Sequence, residues 1–368
     1  MERMKRFALN LLLLVGAIFL GSLAHAETRE PVLKVGAIIS LSGDLEQYGN
    51  EINEGFKLAT EESSPVKVEM LVEDDRSADK VTTLAAAKKL INVDGADVLI
   101  EWTVASSPPL VPVVTAARTP LIVGAYDSRV AHSGPYVFGT EVNYLILAPE
   151  IADFMTKRLG VKRIAIISAN DYWSQNYPPL IRERAQANGA QIVLDEAVDP
   201  DSKDLRSLIA RAKSSGADAI FAPLYGDSLY ALVRQARELH FAGILEGADG
   251  IFEEDVRALG AETEGIYAAQ TWVDNSEFRA LVQNKFSTSK SALQLGMVAC
   301  GYDIIKHLRA IAEEIDKRQE TISSASMLQG IKSFHSKGVL GPMFLGAPPE
   351  EAGEEMVVVH KGAFELAK

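Results

Sequence analysis

From residue 32 onward, short apolar runs alternate with stretches of helical periodicity. Residues 35–39 (VGAII) form an apolar run suited to a fully buried strand. A turn cluster follows at 40–43, and helical periodicity resumes at 55–59. The same order recurs, with strands predicted at 66–72, 96–100 and 120–123 and a crossover strand at 136–138. Helices are predicted over 78–92 and from Ser106-Ser107-Pro108-Pro109, where Ser is a natural N-cap and Pro suits the first turn. A second series begins at Tyr144. Helices over 146–159, 178–188 and 205–215, and a loop plus helix over 225–240, alternate with strands at 163–168, 191–196, 217–222, 244–246 and 265–268. Two such series predict an α/β fold of two doubly wound parallel-sheet lobes.

The pattern changes after residue 275. Helices are predicted over 278–286, 295–315 and 327–332, and residues 343–344 with 356–359 read as a late hairpin. These closing segments are expected to cross back and complete both lobes through a multi-strand hinge. The N-terminal lobe is then 31–145 plus 275–333, and the C-terminal lobe 146–274 plus 334–366.

Residues 1–26 stand outside this pattern. Arg3, Lys5 and Arg6 precede a short apolar core at 11–20, and Ala24-His25-Ala26 is an A-x-A cleavage site. That is a secretory signal peptide, expected to be cut after Ala26. The apolar run is short of the roughly 20 residues a membrane span needs, and no Cys follows it to carry a lipid. The rest of the chain is read as soluble and exported. Its formal net charge of −13 over the whole sequence argues against nucleic acid and anionic membrane as partners. The single Cys, Cys300, precludes an intrachain disulfide and lies in an apolar run as a buried thiol.

The common enzyme patterns are absent. The His residues are scattered with no metal-ligand spacing. There is no G-x-G-x-x-G loop, no Gly-rich phosphate loop and no G-x-S-x-G elbow. Gly226-Asp227-Ser228-Leu229 spells a hydrolase signature, but Asp and Ser there are natural caps for the next helix. Ser287-Thr288-Ser289-Lys290 matches S-x-x-K without its companion motifs and reads as a solvated loop.

What remains is a set of loops at the carboxyl ends of strands, where ligands sit in open α/β sheets. Ser42 and Tyr48 follow the first strand, Trp102, Ala105, Ser106 and Ser107 the third, and Tyr126, Asp127 and Ser128 the fourth. In the second series, Tyr172, Trp173, Tyr225 and Asp249 occupy equivalent places. Such a set suits a small polar ligand. Free N–H groups and hydroxyls receive a carboxylate or carbonyl, an acid receives an ammonium or amide, and aromatic faces cover the body.

In order and spacing, several segments resemble the periplasmic solute-binding proteins of ABC importers, type I fold, in the Leu/Ile/Val-binding branch. They are Val35-Gly36-Ala37, Leu41-Ser42-Gly43, Tyr48-Gly49, Gly55, Glu73-Asp74-Asp75, Arg163-Ile164-Ala165-Ile166, Asp171-Tyr172, Asp204-Leu205, Leu208-Ile209, Arg234-Gln235-Ala236-Arg237 and Gly301-Tyr302-Asp303. The resemblance implies two lobes closing on one ligand by hinge motion. It also implies a periplasmic location, a permease–ATPase partner complex, a monomer, no cofactor and no catalysis. By position it implies that residues 105–107 and 126–128 hold a ligand carboxylate and that Asp249 holds its ammonium. Tyr48, Tyr172 and Tyr225 would be the aromatic contacts. Asp127, Trp102, Trp173 and Gly139 depart from the family's pattern, so an amide, an amine or an aromatic acid fits at least as well as a branched-chain amino acid. A receptor's ligand-sensing subunit with the same fold, or a secreted hydrolase using Ser228, are the alternatives.

Overall fold

The computed structural model describes residues 30–127, 129–131, 133–350 and 352–368, with only the backbone for residues 126 and 141. The predicted signal peptide, residues 1–26, lies outside the described residues. The first series comprises β1 (Val32–Ile39), α1 (Glu46–Thr60), β2 (Lys67–Asp74), α2 (Lys80–Lys89), β3 (Val98–Glu101), α3 (Leu110–Ala117), β4 (Leu121–Tyr126) and β5 (Val137–Asn143). The second comprises α4 (Tyr144–Asp153), β6 (Arg163–Ala169), α5 (Tyr177–Ala187), β7 (Gln191–Val198), α6 (Arg206–Ser214), β8 (Ala219–Phe221), α7 (Gly226–Glu238), β9 (Ile244–Glu246), α8 (Glu253–Leu259) and β10 (Tyr267–Gln270). Then come α9 (Ser276–Phe286), α10 (Ala292–Lys317), α11 (Ser324–Ile331), β11 (Ser336–Lys337), β12 (Pro342–Met343), β13 (Glu355–His360) and β14 (Ala363–Leu366).

Two sheets form. The first has order β2-β1-β3-β4-β5 and is parallel throughout. The second has order β14-β13-β10-β9-β8-β6-β7. Its core is parallel, and β13 and β14 add an antiparallel edge. Apolar runs such as residues 35–39 are buried on both faces, as parallel strands covered by helices must be.

Helix α10 closes the first lobe by packing along α1. The crossing is tight because both helices carry Gly there. A Cβ on Gly55 would come 2.1 Å from the Val298 carbonyl oxygen, and one on Gly301 would come 2.1 Å from that of Ile52. A capping box between Ser291 and Gln294 starts α10 at this point.

Three features depart from the sequence expectation. The crossover strand predicted at 136–138 extends to Asn143, because pairing with β4 carries a polar tail that has little apolar signal of its own. Helix α8 was not foreseen. The late hairpin of 343–344 with 356–359 does not form. Instead β12 pairs with β11, and β13 turns directly into β14 through Lys361 and Gly362. Both turn residues have positive φ (51° and 78°), the requirement of a tight two-residue hairpin. Met343 and Leu345 share a buried cluster with Leu33 and Val35 of the first sheet.

Candidate functional site

The carboxyl ends of both sheets face one cavity of about 150 Å³. From the first lobe, Tyr48 comes from α1, Trp102 to Ala105 from the turn after β3, and Gly124 and Ala125 from β4. Gly124 is required by packing, since a Cβ there would sit 2.3 Å from the Trp102 carbonyl oxygen. From the second lobe, Trp173 follows β6, Tyr225 precedes α7, and Asp249, Gly250 and Phe252 follow β9. Met297 and Cys300 of α10 form part of the floor, and the Cys300 thiol is buried there.

Aromatic rings from both lobes line the wall. Trp173 stands edge-on to Tyr225 at 5.7 Å between centroids and to Tyr177 at 5.8 Å. Tyr48 meets Phe252 across the lobes at 5.5 Å. Two further contacts hold the lobes together. Arg257 donates to Gln47 at 2.5 Å, and Arg129 donates to the Tyr172 carbonyl at 2.9 Å.

Carboxylates supply the polarity. The Tyr177 hydroxyl donates to one oxygen of Asp249, and the Tyr144 hydroxyl donates to the other at 3.3 Å. These two phenols fix the carboxylate at the cavity. Burial raises the Asp249 pKa above the usual range against the pull of those bonds. Glu354, just before β13, also lines the cavity, and its Oε2 is buried without a hydrogen-bond partner. Burial, then the Asp249 and Glu246 charges, push its carboxyl well up.

Glu246 lies at the end of β9, fully buried, with Oε2 accepting from the Ala248 N–H at 3.2 Å. Burial and the neighbouring Asp249 raise its pKa to about 8. A group raised in the folded state holds its proton more tightly folded than unfolded. Its contribution is therefore full below about 4.5 and is lost as pH climbs through about 8. Glu246→Gln is expected to melt with wild type at pH 5 and above it at pH 9; parallel melting curves at both values would show that Glu246 does not titrate this way.

The predicted site residues divide. Tyr48, Trp102, Ala105, Trp173, Tyr225 and Asp249 line the cavity. Others face their own lobe. Ser42 donates to Asp74 at 2.6 Å, Ser106 donates to Glu101, and Ser107 donates to the Thr103 carbonyl at 3.4 Å. Asp127 is paired at both oxygens with Arg129, at 3.1 Å to Nε and 2.9 Å to Nη2, and does not line the cavity. Tyr172 lies 4.1 Å beneath the Arg129 guanidinium, likewise outside the lining. Tyr126 ends β4 with no side chain described, and Ser128 lies outside the described residues.

Glu354, Tyr144, Phe252 and Gln270 were missed. Gln270 ends β10 and was open to the same strand-end reasoning. Glu354 follows a turn-rich acidic stretch and precedes the antiparallel strand β13, so no strand-end rule points to it. Ser228, the hydrolase candidate, is fully buried and donates to the Tyr225 carbonyl at 3.0 Å, as a helix-start hydroxyl does.

Comparison with known proteins gives a consistent picture. Residues 32–360 match a family described as periplasmic binding protein. A Leu/Ile/Val-binding protein of Citrobacter freundii is 22% identical over 359 residues, covering 93% of each chain. Another, of Rhizobium johnstonii, is 23% identical over 268 residues, covering 68% of this chain and 69% of its own. Among solved structures, a leucine-binding protein of Thermotoga maritima superposes with a TM-score of 0.80 at 21% identity, covering 91% of this chain and 98% of its own. A solute-binding protein of an ABC transporter from Rhodopseudomonas palustris, in complex with 4-hydroxybenzoate, gives 0.76 at 20% identity, covering 92% and 96%. At these identities the solved structures establish a shared fold.

Proposed function

The chain belongs to the periplasmic binding protein family, and we propose that it captures an amino acid or similar small polar compound between its lobes and delivers it to an ABC permease–ATPase complex. The observation that carries this is a cavity at the strand ends of both sheets, lined by aromatic rings from each side. A cavity shared by two lobes couples binding to closure, because the ligand completes contacts that neither lobe makes alone. The partner complex then has two arrangements to distinguish, open and ligand-closed. The periplasm is the compartment this role requires. Among the described residues no helix is long and apolar enough to cross a membrane.

A thermal-shift screen of amino acids, amides, amines and aromatic acids tests the proposal. A ligand at 100 times its Kd should stabilise the folded chain by about 2.7 kcal/mol, which reads as a rise of several degrees in Tm. A blank screen across all four classes would contradict capture of such solutes.

A further inference from the structure

The charge of the cavity narrows the ligand class. The carboxylates of Asp249 and Glu354 line it, and Asp44 stands at its edge. Among the described residues no Lys, Arg or His side chain lines it. The nearby guanidinium of Arg129 is engaged by Asp127 and by the Tyr172 carbonyl.

Four hydroxyls of the first lobe, two of them in the cavity lining, are committed to acceptors of that lobe. A hydroxyl has one proton to donate. Ser42 gives its proton to Asp74, Ser77 to the Ser42 carbonyl at 2.9 Å, Thr103 to Asp75 at 3.1 Å, and Ser106 to Glu101. Each donation goes to a fixed acceptor of the first lobe. On the first-lobe side a ligand carboxylate would meet Ser77 and Thr103 with their donors withdrawn, opposite two buried acids.

The acid side is arranged in the opposite sense. Asp249 is held in place by two phenols, and Glu354 keeps a buried Oε2 with no hydrogen-bond partner. A bound cation favours the ionised form of this carboxyl, against the burial and neighbouring charges that push it up, and gives the buried oxygen its donor. Around these acids, Tyr48, Trp102, Trp173 and Tyr225 present aromatic surface, which favours a cation.

We infer that the cavity takes a small organic cation, an amine or amidine of about single-ring size without a carboxylate, with its cationic nitrogen between Asp249 and Glu354. This rests on the proposal that the cavity captures a solute. It narrows the range of that proposal to one charge class.

A matched ring series decides the matter. Benzylamine, benzyl alcohol, phenylalanine and benzoate carry the charges of a cation, a neutral molecule, a zwitterion and an anion. Their binding to the full exported chain at pH 7 can be followed by tryptophan fluorescence, since Trp102 and Trp173 line the cavity. Benzylamine is expected to bind on the order of thirtyfold or more tighter than the other three, the effect of a buried charge pair. Glu354→Gln should lose most of that preference, and circular dichroism with a cooperative melt of the unliganded variant shows that it is folded. Tighter binding of phenylalanine or benzoate than of benzylamine overturns the inference and leaves solute capture standing. An unchanged benzylamine affinity in Glu354→Gln overturns it as well. If none of the four binds, the inference fails, and solute capture fails with it only if the wider thermal-shift screen is also blank.

Discussion

Asp249→Ala is expected to lose the ligand returned by the thermal-shift screen by about 2–5 kcal/mol, the cost of removing one partner of a buried charge pair. That corresponds to roughly thirtyfold to several thousandfold in Kd. The size follows from the placement of the carboxylate. It is fixed by Tyr177 and Tyr144 before any ligand arrives, so no ordering cost offsets the interaction. The unliganded protein should change far less. The substitution leaves the buried Tyr177 hydroxyl without its acceptor, a cost of about 1–3 kcal/mol. It also removes a carboxylate whose ionisation burial disfavours. These two effects have opposite signs. Titration calorimetry beside a melt of the unliganded protein separates them. A Kd within a few-fold of wild type would make Asp249 only a loop acid.

Gly55→Ala is the second large effect, and it falls on stability. The added Cβ would stand 2.1 Å from the Val298 carbonyl oxygen and 2.5 Å from the Tyr302 nitrogen. Both are backbone atoms of α10, so no rotamer change relieves the contact and the helices must separate. The expected loss is about 1–3 kcal/mol, as for other overpacked cores, partly offset by the better helix propensity of Ala, about 1 kcal/mol. Denaturant unfolding measures it. Because α1 also carries Tyr48, separation of α1 from α10 should weaken ligand binding as well. A variant as stable as wild type would mean that the α1–α10 crossing can open without loss.

The fold was legible because its signals are local. Residues 35–39, 163–168 and 217–222 are apolar runs between turn clusters, and each became a buried parallel strand or its core. Alternation with helices then fixes a doubly wound architecture with little freedom. What escaped depends on pairing. The polar end of β5 is a strand because β4 lies beside it, and the β13–β14 hairpin depends on a Lys-Gly turn with two positive φ angles.

The site was legible only in part, for a physical reason. Strand-end position places a residue near the cleft but does not say where its side chain turns. Trp173, Tyr225 and Asp249 face the cavity. Ser42 and Ser106 stand at equivalent positions but find stronger acceptors, Asp74 and Glu101, within their own lobe. Asp127 is drawn to Arg129, two residues on. Glu354 reaches the cavity from the last crossing between lobes, a contact set by tertiary return of the chain rather than by any local pattern.

A crystal structure of the protein grown with the strongest ligand from the thermal-shift screen addresses the central claim most directly. Interlobe capture predicts one molecule enclosed between Tyr48 and Trp102 on one side and Trp173, Tyr225 and Asp249 on the other, with a donor of the ligand on the Asp249 carboxylate. Ligand bound outside this cavity, with the cavity itself filled only by water, would contradict it.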